Sequence, residues 1–447
     1  MRGDGPMPYR VAIVTLDAHA AGSVARVGLR LADEFPGLEV SVHAAAEWAE
    51  TPEAADVARA AVARADIVVC GLLFIDEHIQ AIRPALEARR DACDAMVGMV
   101  SDPAIVKLTR MGDLDMAKPS SAAVTLLKKL RGSKSPSGSS GEKQMRMLRR
   151  LPKLLRYVPG KAQDLRAWFL CMQYWLGGSD DNFEGLLRHL IGRYSPDFET
   201  KAAAPVAYPE VGLYHPDHGI VTDPEALPAS GGPTVGLLLM RSYVLADDAA
   251  HYDAVIRAFE AKGIRAIAAF AGGLDMRPAI EAYFSGGRID ALVSLSGFSL
   301  VGGPAYNDSD AAVGVLAELD VPYVAAHPLE FQTLGQWGRS HTGLGPVETT
   351  MLIALPEIDG ATNPTLFAGR HDAGGCTGCA RRCAGATSRA MAPCPERVER
   401  LVERATRLAT LRRSVTATRK VGIVLFNFPP NAGASGTAAF LAVWESL

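Results

Sequence analysis

Short apolar runs alternate with alanine-rich amphipathic segments between residue 10 and about residue 101. The runs VAIVTL, LEVSVHA, ADIVVCGLLF and AMVGMV have the length and the β-branched content of buried strands, whereas TPEAADVARAAVARA has the apolar spacing of a helix. Strands that alternate with helices are typical of βαβ units, whose parallel sheet is covered by helices on both faces. The pattern therefore predicts an amino-terminal α/β domain, which we place at residues 1–125.

The same alternation returns after residue 233. The runs TVGLLLM, IRAIAAF, IDALVSLSGFSL and VPYVAAH are strand-like, and the helical segments between them include one that ends at Gly263. We predict a second α/β domain at 206–330. The fold class is then α/β, with successive parallel sheets of the Rossmann-like or flavodoxin-like type.

A third unit of this kind begins near residue 420. One strand, at about 421–427, precedes a glycine-rich loop and a single helix. One strand and one helix cannot bury both faces of a sheet. We therefore expect 420–447 to be the start of a further α/β unit that is truncated.

The pattern between the two domains is helical, and we assign 126–205 to a helical segment. The stretch RGSKSPSGSSGEK at 131–143 has the composition of a flexible loop, and basic residues flank it. Further along, one helix carries an aromatic and sulfur-containing stripe: Trp168, Met172 and Trp175. Core packing is the commoner role of such a stripe, although aromatic side chains can also line a site for a flat macrocycle. The next helix is expected to begin at a cap, either Ser179 or Asp180.

Three acids follow predicted strands of the first domain: Asp17, Asp76 and Asp102. The carboxyl edge of a parallel sheet is where ligand-facing loops lie. Aspartate is also a common helix cap at such positions, and we expect capping rather than chemistry.

Composition excludes several classes of protein. The chain has 447 residues with 48% hydrophobic content and a net charge of -3. This composition is typical neither of a disordered protein nor of a protein that coats nucleic acid. The amino terminus reads as a buried strand rather than a secretion signal, and the longest apolar stretch, IVVCGLLFI, is shorter than the ~20 residues of a membrane-spanning helix. We expect a soluble, cytoplasmic protein. Neither a GxGxxG turn that opens a helix nor a GxxxxGKS or GxxxxGKT loop occurs, so no nucleotide site is predicted.

Four of the seven cysteines lie close together, in a segment at 331–419 that we interpret as a connector. They follow the spacing C-x2-C-x3-C-x10-C: Cys376, Cys379, Cys383 and Cys394. In a reducing compartment such a cluster favours metal binding over disulfides. The spacing is close to that of ferredoxin-type iron–sulfur ligands but does not match it fully, and structural zinc more often uses two C-x2-C pairs. A 4Fe–4S cluster, a zinc ion and unligated thiols all remain open, in that order of preference.

Several stretches, in this order along the chain, resemble the CobN/magnesium chelatase family, and within it the large porphyrin-binding H subunits of the bacteriochlorophyll type. They include DAMVGMVSDPAIVKLTRMGDLDM, QDLRAWFLCMQYWLGGSDDN, GLLLMRSYVLADDAAHYDAVI, SLSGFSLVGGPAYND, VPYVAAHPLEFQTLGQWG, LPEIDGATNPTLFAGR and VLFNFPPNAGASGTAAFLAVWESL. The resemblance covers nearly the whole chain, although much of the family's longer sequence is absent.

The resemblance implies a ligase that inserts Mg2+ into protoporphyrin IX in bacteriochlorophyll and chlorophyll biosynthesis, for photosynthesis. It implies that ATP is hydrolysed by partner AAA+ motor subunits, I and D, and that the methyltransferase acting on magnesium protoporphyrin is a further partner. It also implies a position at the periphery of photosynthetic membranes. No nucleic acid is expected as a partner. As an incomplete piece, this chain is expected to be inactive by itself.

Metal insertion needs groups that accept two pyrrole protons and oxygen ligands for a strongly hydrated ion. Four residues between the second sheet and the cysteines are weak candidates: His327, Glu330, Glu348 and Glu357. No spacing singles one out, and the main catalytic groups are expected downstream of this chain. Two alternatives stay open. One is a cobaltochelatase large subunit, whose similarity is expected mostly from VLFNFPP onward, and the other is a non-catalytic ligand-binding scaffold with a structural metal.

Overall fold

The computed structural model describes residues 8–422, apart from 17, 49–50, 119–150, 161, 304–305 and 386–389. The described chain forms two layered α/β units, each built on one large sheet. We call them the first unit (residues 8–205) and the second unit (residues 206–422). The predicted loop at 131–143 and nearly all of the predicted third unit lie outside the described residues.

The first unit has a six-stranded sheet in the order β2-β1-β3-β4-β5-β6. Strands β1 to β4 are parallel, and β5 and β6 form a short antiparallel edge. The order 2-1-3-4 in the parallel part is that of flavodoxin-like sheets, as predicted. The strands are β1 (Tyr9–Thr15), β2 (Leu38–Ala44), β3 (Ile67–Gly71), β4 (Ala95–Met99), β5 (Arg110–Met111) and β6 (Leu114–Asp115).

Helices cover both faces of this sheet. They are α1 (Ala18–Glu34), α2 (Pro52–Arg64), α3 (Asp76–Arg89), α4 (Pro103–Val106), α5 (Ala162–Gly177) and α6 (Asp180–Tyr194), with a 3-10 turn at Ala45–Glu47. Helix α1 and the α5–α6 hairpin pack on one face, whereas α2 and α3 pack on the other. The predicted helical segment therefore contributes to the core of the first unit. The stripe of Trp168, Met172 and Trp175 is buried in that core.

The predicted caps are confirmed in part. Ser179 caps α6 by accepting from the backbone N–H of Asn182, and Asp102 caps α4 by accepting from the backbone N–H of Ala104 at 2.7 Å. The expectation for Asp76 is wrong, because α3 begins at this residue and the cap position before it has no side-chain hydrogen bond. Asp17 lies outside the described residues.

The second unit has an eight-stranded sheet in the order β16-β15-β14-β11-β9-β10-β7-β8. The five inner strands are parallel and again follow the flavodoxin-like order, while antiparallel strands lie at both edges. The strands are β7 (Val211–His215), β8 (Gly219–Val221), β9 (Thr234–Met240), β10 (Arg265–Ala271), β11 (Ala291–Ser294), β14 (Tyr323–Thr333), β15 (Thr362–Arg370) and β16 (Met391–Pro393). A separate two-stranded ribbon pairs β12 (Gly302–Gly303) with β13 (Tyr306–Asn307).

The helices of the second unit are α7 (Arg241–Leu245), α8 (Ala250–Glu260), α9 (Arg277–Tyr283), α10 (Ser309–Leu319), α11 (Leu334–Arg339), α12 (Pro346–Glu348), α13 (Leu355–Ile358) and α14 (Pro395–Arg413). A π turn at Thr349–Ala354 joins α12 to α13, and single 3-10 turns lie at Pro224–Ala226 and Thr416–Thr418. Helices α8 and α14 cover one face, and α9 and α10 cover the other. Among the described helices, none is both long enough and apolar enough to cross a membrane.

The second sheet continues well past residue 330. Strands β15 and β16 and helix α14 all come from 331–419, which the sequence pattern suggested was a connector. Strand β15 escapes the pattern because it contains Asn363 and Pro364, which are rare in strands, and because its first three residues are exposed. Where the chain divides into independent folding units stays a prediction.

Candidate functional site

His327 lies in strand β14 and is 2% exposed. Neither of its ring nitrogens has a hydrogen-bond partner among the described residues. Burial lowers the pKa of His327 to about 4, so the imidazole is neutral near pH 7. A neutral imidazole without partners retains a lone pair that can accept a proton or bind a metal.

Glu348, at the end of α12, is 1% exposed, and its carboxylate binds the backbone near the end of strand β14. Its Oε1 atom accepts three consecutive backbone N–H groups, from Glu330 and Phe331 at 2.9 Å and from Gln332 at 3.2 Å. Its Oε2 atom has no hydrogen-bond partner in the described chain. Burial raises the pKa of Glu348 above its ordinary value, although the three N–H groups oppose that rise.

Glu330 belongs to a buried polar cluster at the carboxyl edge of the second sheet. The Tyr243 hydroxyl donates to its carboxylate, and the Arg370 guanidinium donates to its backbone carbonyl at 3.0 Å and lies 3.5 Å from its carboxylate. Arg370 is 7% exposed, and the ring of His251 lies next to that of Tyr243 at 5.1 Å between centroids. Burial, followed by the charge of Glu330, raises the pKa of Tyr243 well above its ordinary value.

The structure thus brings together Glu330 and Glu348, which meet at the end of β14, and places His327 three residues before Glu330 on the same strand. It does not bring Glu357 into this group, because that side chain is exposed on α13. Sequence reasoning missed Tyr243, His251 and Arg370. Their positions could have indicated a site. Tyr243 and His251 lie in RSYVLADDAAHYD, which follows a predicted strand, and Arg370 ends the stretch LFAGR.

Three of the four clustered cysteines lie in one loop beside β14 and α11, and the fourth, Cys394, directly follows β16 and precedes α14. Cys376 and Cys383 pair their backbones, with N–H to carbonyl distances of 3.0 and 2.9 Å, and the N–H of Gly378 donates to the Cys376 sulfur at 3.4 Å. Burial and then the thiols of Cys394, Cys376 and Cys379 raise the pKa of Cys383 to about 11. Cys376, Cys383 and Cys394 belong to one packed cluster. Gly375, at φ 66°, is required here, because a Cβ would lie 2.3 Å from the Cys383 carbonyl oxygen.

The loop is covered by apolar side chains and suits thiolate ligands in residue type. Leu329 and Leu334 pack against Cys376 and Cys394, and Trp337 adds to the cover. Within the described ranges, however, no three or more His, Cys, Asp or Glu side chains are arranged closely enough to hold a metal ion. Residues 386–389, between the third and fourth cysteines, are not among those described. The structure therefore gathers the predicted ligands without showing a metal-binding arrangement.

A cleft of about 340 Å³ lies where the first unit meets the second. The first unit supplies Ala20 and Leu72, which follow β1 and β3, together with the α5–α6 hairpin. The second unit supplies the residues that follow β9 and β10. The lining is mostly apolar and includes Leu72, Trp175, Leu176, Phe183, Met240, Leu245, Ala271 and Leu274, with Arg241 and Ser242 as its polar members.

Two left-handed residues support the cleft on the side of the first unit. Leu72 has φ 59° and Val100 has φ 45°, and the N–H of Leu72 donates to the carbonyl of Val100 at 3.0 Å. Such a conformation is disfavoured for any side chain, most of all a β-branched one, and costs on the order of 1–3 kcal/mol for each residue. Strain of this kind persists only where surrounding contacts impose it, and it is commonest at functional sites.

Comparison with known proteins agrees with the resemblance. The CobN/Magnesium Chelatase family model matches residues 172–447, and a domain of unknown function, DUF3479, matches residues 10–169. Two aerobic cobaltochelatase CobN subunits, from Sinorhizobium sp and Pseudomonas aeruginosa, match at 26% and 27% identity over 60% and 62% of this chain. The expectation that such similarity lies mostly from VLFNFPP onward is therefore wrong, because that stretch is much shorter.

The chain is 65% identical over 457 aligned residues to the magnesium-chelatase H subunit of Cereibacter sphaeroides, covering 99% of this chain and 38% of that protein. It is 64% identical to the magnesium-chelatase H subunit of Rhodobacter capsulatus, covering 100% of this chain and 39% of that protein. Among solved structures, the catalytic subunit of cobaltochelatase from Mycobacterium tuberculosis matches with a TM-score of 0.50 and 19% identity, covering 92% of this chain and 28% of that one. That structural likeness shows the fold alone.

The two family models together span nearly the whole chain, and the identity to the relatives extends across both units. The chain spans about two fifths of the length of these curated relatives. It belongs to the CobN/magnesium chelatase family.

Proposed function

We propose that this chain is the amino-terminal part of the porphyrin-binding subunit of magnesium chelatase, a ligase of bacteriochlorophyll and chlorophyll biosynthesis. The observation that carries the proposal is the 65% identity to the magnesium-chelatase H subunit of Cereibacter sphaeroides over 99% of this chain. The complete subunit binds protoporphyrin IX and receives Mg2+ as its second substrate. Partner AAA+ subunits, I and D, supply ATP hydrolysis, and the methyltransferase that acts on the product is a further partner. The complex works in the cytoplasm, at the periphery of photosynthetic membranes.

The reaction exchanges two pyrrole N–H protons for one Mg2+ ion, so both protons need acceptors. A base is most effective when its pKa lies near the working pH. Glu348 suits this role better than His327, because burial raises the pKa of the carboxyl group but lowers that of the imidazole to about 4. Glu330 is already hydrogen-bonded to Tyr243 and paired with Arg370, which suits a positioning role. We rank Glu348 first among the candidates of this chain, ahead of His327, Glu330 and Glu357, and expect the main catalytic groups in the part of the relatives' length that this chain does not span.

The cysteine loop is proposed as a metal centre that holds a 4Fe–4S cluster, with Zn2+ as the alternative. Support comes from three thiols in one loop with Cys394 packed beside them, the N–H to sulfur bond at Cys376 and the apolar cover. In this role the ligands are Cys376, Cys379, Cys383 and Cys394, and a bound metal would supply the positive charge that offsets four thiolates. The thiols have to move closer together, since the described chain shows no ligand arrangement.

A reconstituted assay tests the chelatase proposal. The full-length subunit, mixed with its ATPase partners, ATP, Mg2+ and protoporphyrin IX, is expected to produce magnesium protoporphyrin, which is followed by its fluorescence. The 447-residue chain is expected to produce none under the same conditions, since it spans 38% of the relative's length.

Two outcomes contradict the proposal in different ways. A full-length subunit that inserts Co2+ but not Mg2+ identifies a cobaltochelatase. A subunit that binds no porphyrin, measured by quenching of tryptophan fluorescence, identifies a non-catalytic scaffold. Turnover by the 447-residue chain would instead place the catalytic groups within it, with Glu348 the first residue to substitute.

A further inference from the structure

The cleft between the two units has the position of a ligand site in the first of them. In a flavodoxin-like sheet the ligand crevice lies outside the carboxyl ends of the strands, where the strand order reverses. In the first sheet that point is between β1 and β3, where Leu72 directly follows β3 and Ala20 lies in the first turn of α1, the helix after β1. In the second sheet the cleft is lined by the residues after β9 and β10, at the carboxyl edge but beside the reversal point, which lies between β9 and β11. Two carboxyl edges therefore face one space.

The walls of the cleft suit a flat, apolar ligand. Trp175 is 5% exposed and is fixed on both sides, by Phe183 in an edge contact at 5.5 Å and by Gly71, where a Cβ would lie 2.7 Å from the indole. The lining also includes Met240 and Leu245 of the second unit. A predominantly apolar lining with a few polar groups, at a boundary between units, is the usual make-up of a small-molecule site, and 340 Å³ lies within the usual size range.

A cationic cavity adjoins the apolar one. This second cavity, of about 190 Å³, shares Leu176 and Arg241 with the cleft and adds Lys153 and Tyr208. Arg241 is held at the boundary, because its guanidinium donates to the carbonyl of Pro209 at 2.9 Å and to that of Tyr208 at 3.2 Å. Lys153 is exposed and brings an ammonium group to this second cavity. A ligand that is apolar over most of its surface and carries carboxylates at one edge would match both cavities.

We propose that this cleft is where the chain holds the porphyrin, with one edge of the macrocycle against Trp175 and the propionate carboxylates directed toward Lys153. The inference rests on the proposed function and goes beyond it by locating the docking site between the two units. The strained pair of Leu72 and Val100 fits this assignment, since Leu72 lines the cleft and its backbone N–H is held by the carbonyl of Val100. The aromatic stripe of α5 then has two roles, in which Trp168 and Met172 pack the core and Trp175 also faces the ligand.

The variant Gly273→Leu blocks the cleft without disturbing the fold. Gly273 lines the cleft, is exposed, does not have a left-handed backbone, and a Cβ built on it meets no atom within 4 Å. A leucine there fills space that the porphyrin would occupy. The matched control is Gly314→Leu, on the exposed side of α10, where a Cβ also meets no atom within 4 Å. Both variants are made in the full-length subunit, and protoporphyrin IX is the probe.

We expect the affinity for protoporphyrin IX to fall at least about tenfold in Gly273→Leu and to stay unchanged in Gly314→Leu. In the reconstituted assay, Gly273→Leu should raise the KM for porphyrin with little change in kcat, because the substitution opposes docking rather than chemistry. Normal porphyrin affinity in Gly273→Leu overturns the location, as does an equal loss in both variants. A wild-type subunit that binds no porphyrin overturns the proposed function itself, so the two failures are distinguishable.

Discussion

The imidazole of His327 is buried and has no hydrogen-bond partner in the described chain. Protonating it in the folded protein is therefore costly. The folded pKa of about 4 lies below the ordinary value of 6.5, so the contribution of this residue to stability is fully present above pH 6.5. This contribution is lost progressively as the pH falls through 6.5 toward 4, because in that range His327 is protonated in the unfolded chain but stays neutral in the folded chain. At pH 5 the loss amounts to about 2 kcal/mol.

The variant His327→Met tests this residue. Methionine fills a similar volume and cannot titrate. We expect the drop in the thermal unfolding midpoint between pH 7 and pH 5 to be smaller in the variant than in the wild type. His189 and His251 also have lowered pKa values and contribute to that drop in both proteins, so the difference isolates His327. An identical pH dependence in the two proteins would show that His327 has a partner in solution.

At the scale of elements, the cysteine loop depends on the strand and helix beside it. The loop follows β15 and precedes β16, and Cys394 directly follows β16, so the two ends of the loop are fixed by neighbouring strands of one sheet. Helix α11 packs closely on it, because a Cβ on Gly338 would lie 2.9 Å from the Cys376 sulfur. The sheet thus fixes where the loop begins and ends.

Anaerobically purified protein is expected to be brown, with a broad visible absorbance that fades on reduction, as thiolate-ligated iron requires. Cys376→Ser and Cys379→Ser should each remove most of the bound metal, measured by elemental analysis. Cys70→Ser, Cys93→Ser and Cys171→Ser are the controls, since these thiols are buried in the core of the first unit and are distant in sequence from the cysteine loop. A colourless protein with one zinc per chain would replace the iron–sulfur assignment, and a metal-free protein would end it.

At the scale of the whole molecule, contacts outside the cleft also join the two units. Strand β14 lies against the 3-10 turn at Ala45–Glu47. On α1, Arg26 donates to Asp180 at 2.7 Å and to the carbonyl of Ala246 at 2.8 Å, so one guanidinium joins α1, the hairpin and the second unit. The hydrogen bonds from Arg26 and Ser23 lower the pKa of Asp180, although burial opposes them.

Replacing Arg26 by alanine should loosen this contact and leave each unit folded. Losing the hydrogen bond to the carbonyl of Ala246 costs about 1 kcal/mol, so local opening becomes roughly fivefold more frequent. We expect amide exchange at 246–248 to become faster by about the same factor. Hydrogen–deuterium exchange measures it. The matched control is Arg30→Ala, because Arg30 pairs with Asp180 and Glu184 of the hairpin and, among the described contacts, makes no bond to the second unit. Equal exchange in both variants would show that Arg26 does not connect the units.

The sequence by itself determined the α/β class, most inner strands, the helical hairpin and the group of four cysteines, because each of these is encoded by local periodicity or spacing. It pointed to Glu330, Glu348 and His327 only as members of one segment. Tertiary structure alone decided that Glu348 caps the end of β14 and that Tyr243 reaches Glu330, 87 residues away. It alone decided that β15 and β16 join the second sheet and that Trp175 faces a cleft. Those features depend on which distant elements pack together, and no local pattern specifies that, since many partners could satisfy the same apolar face.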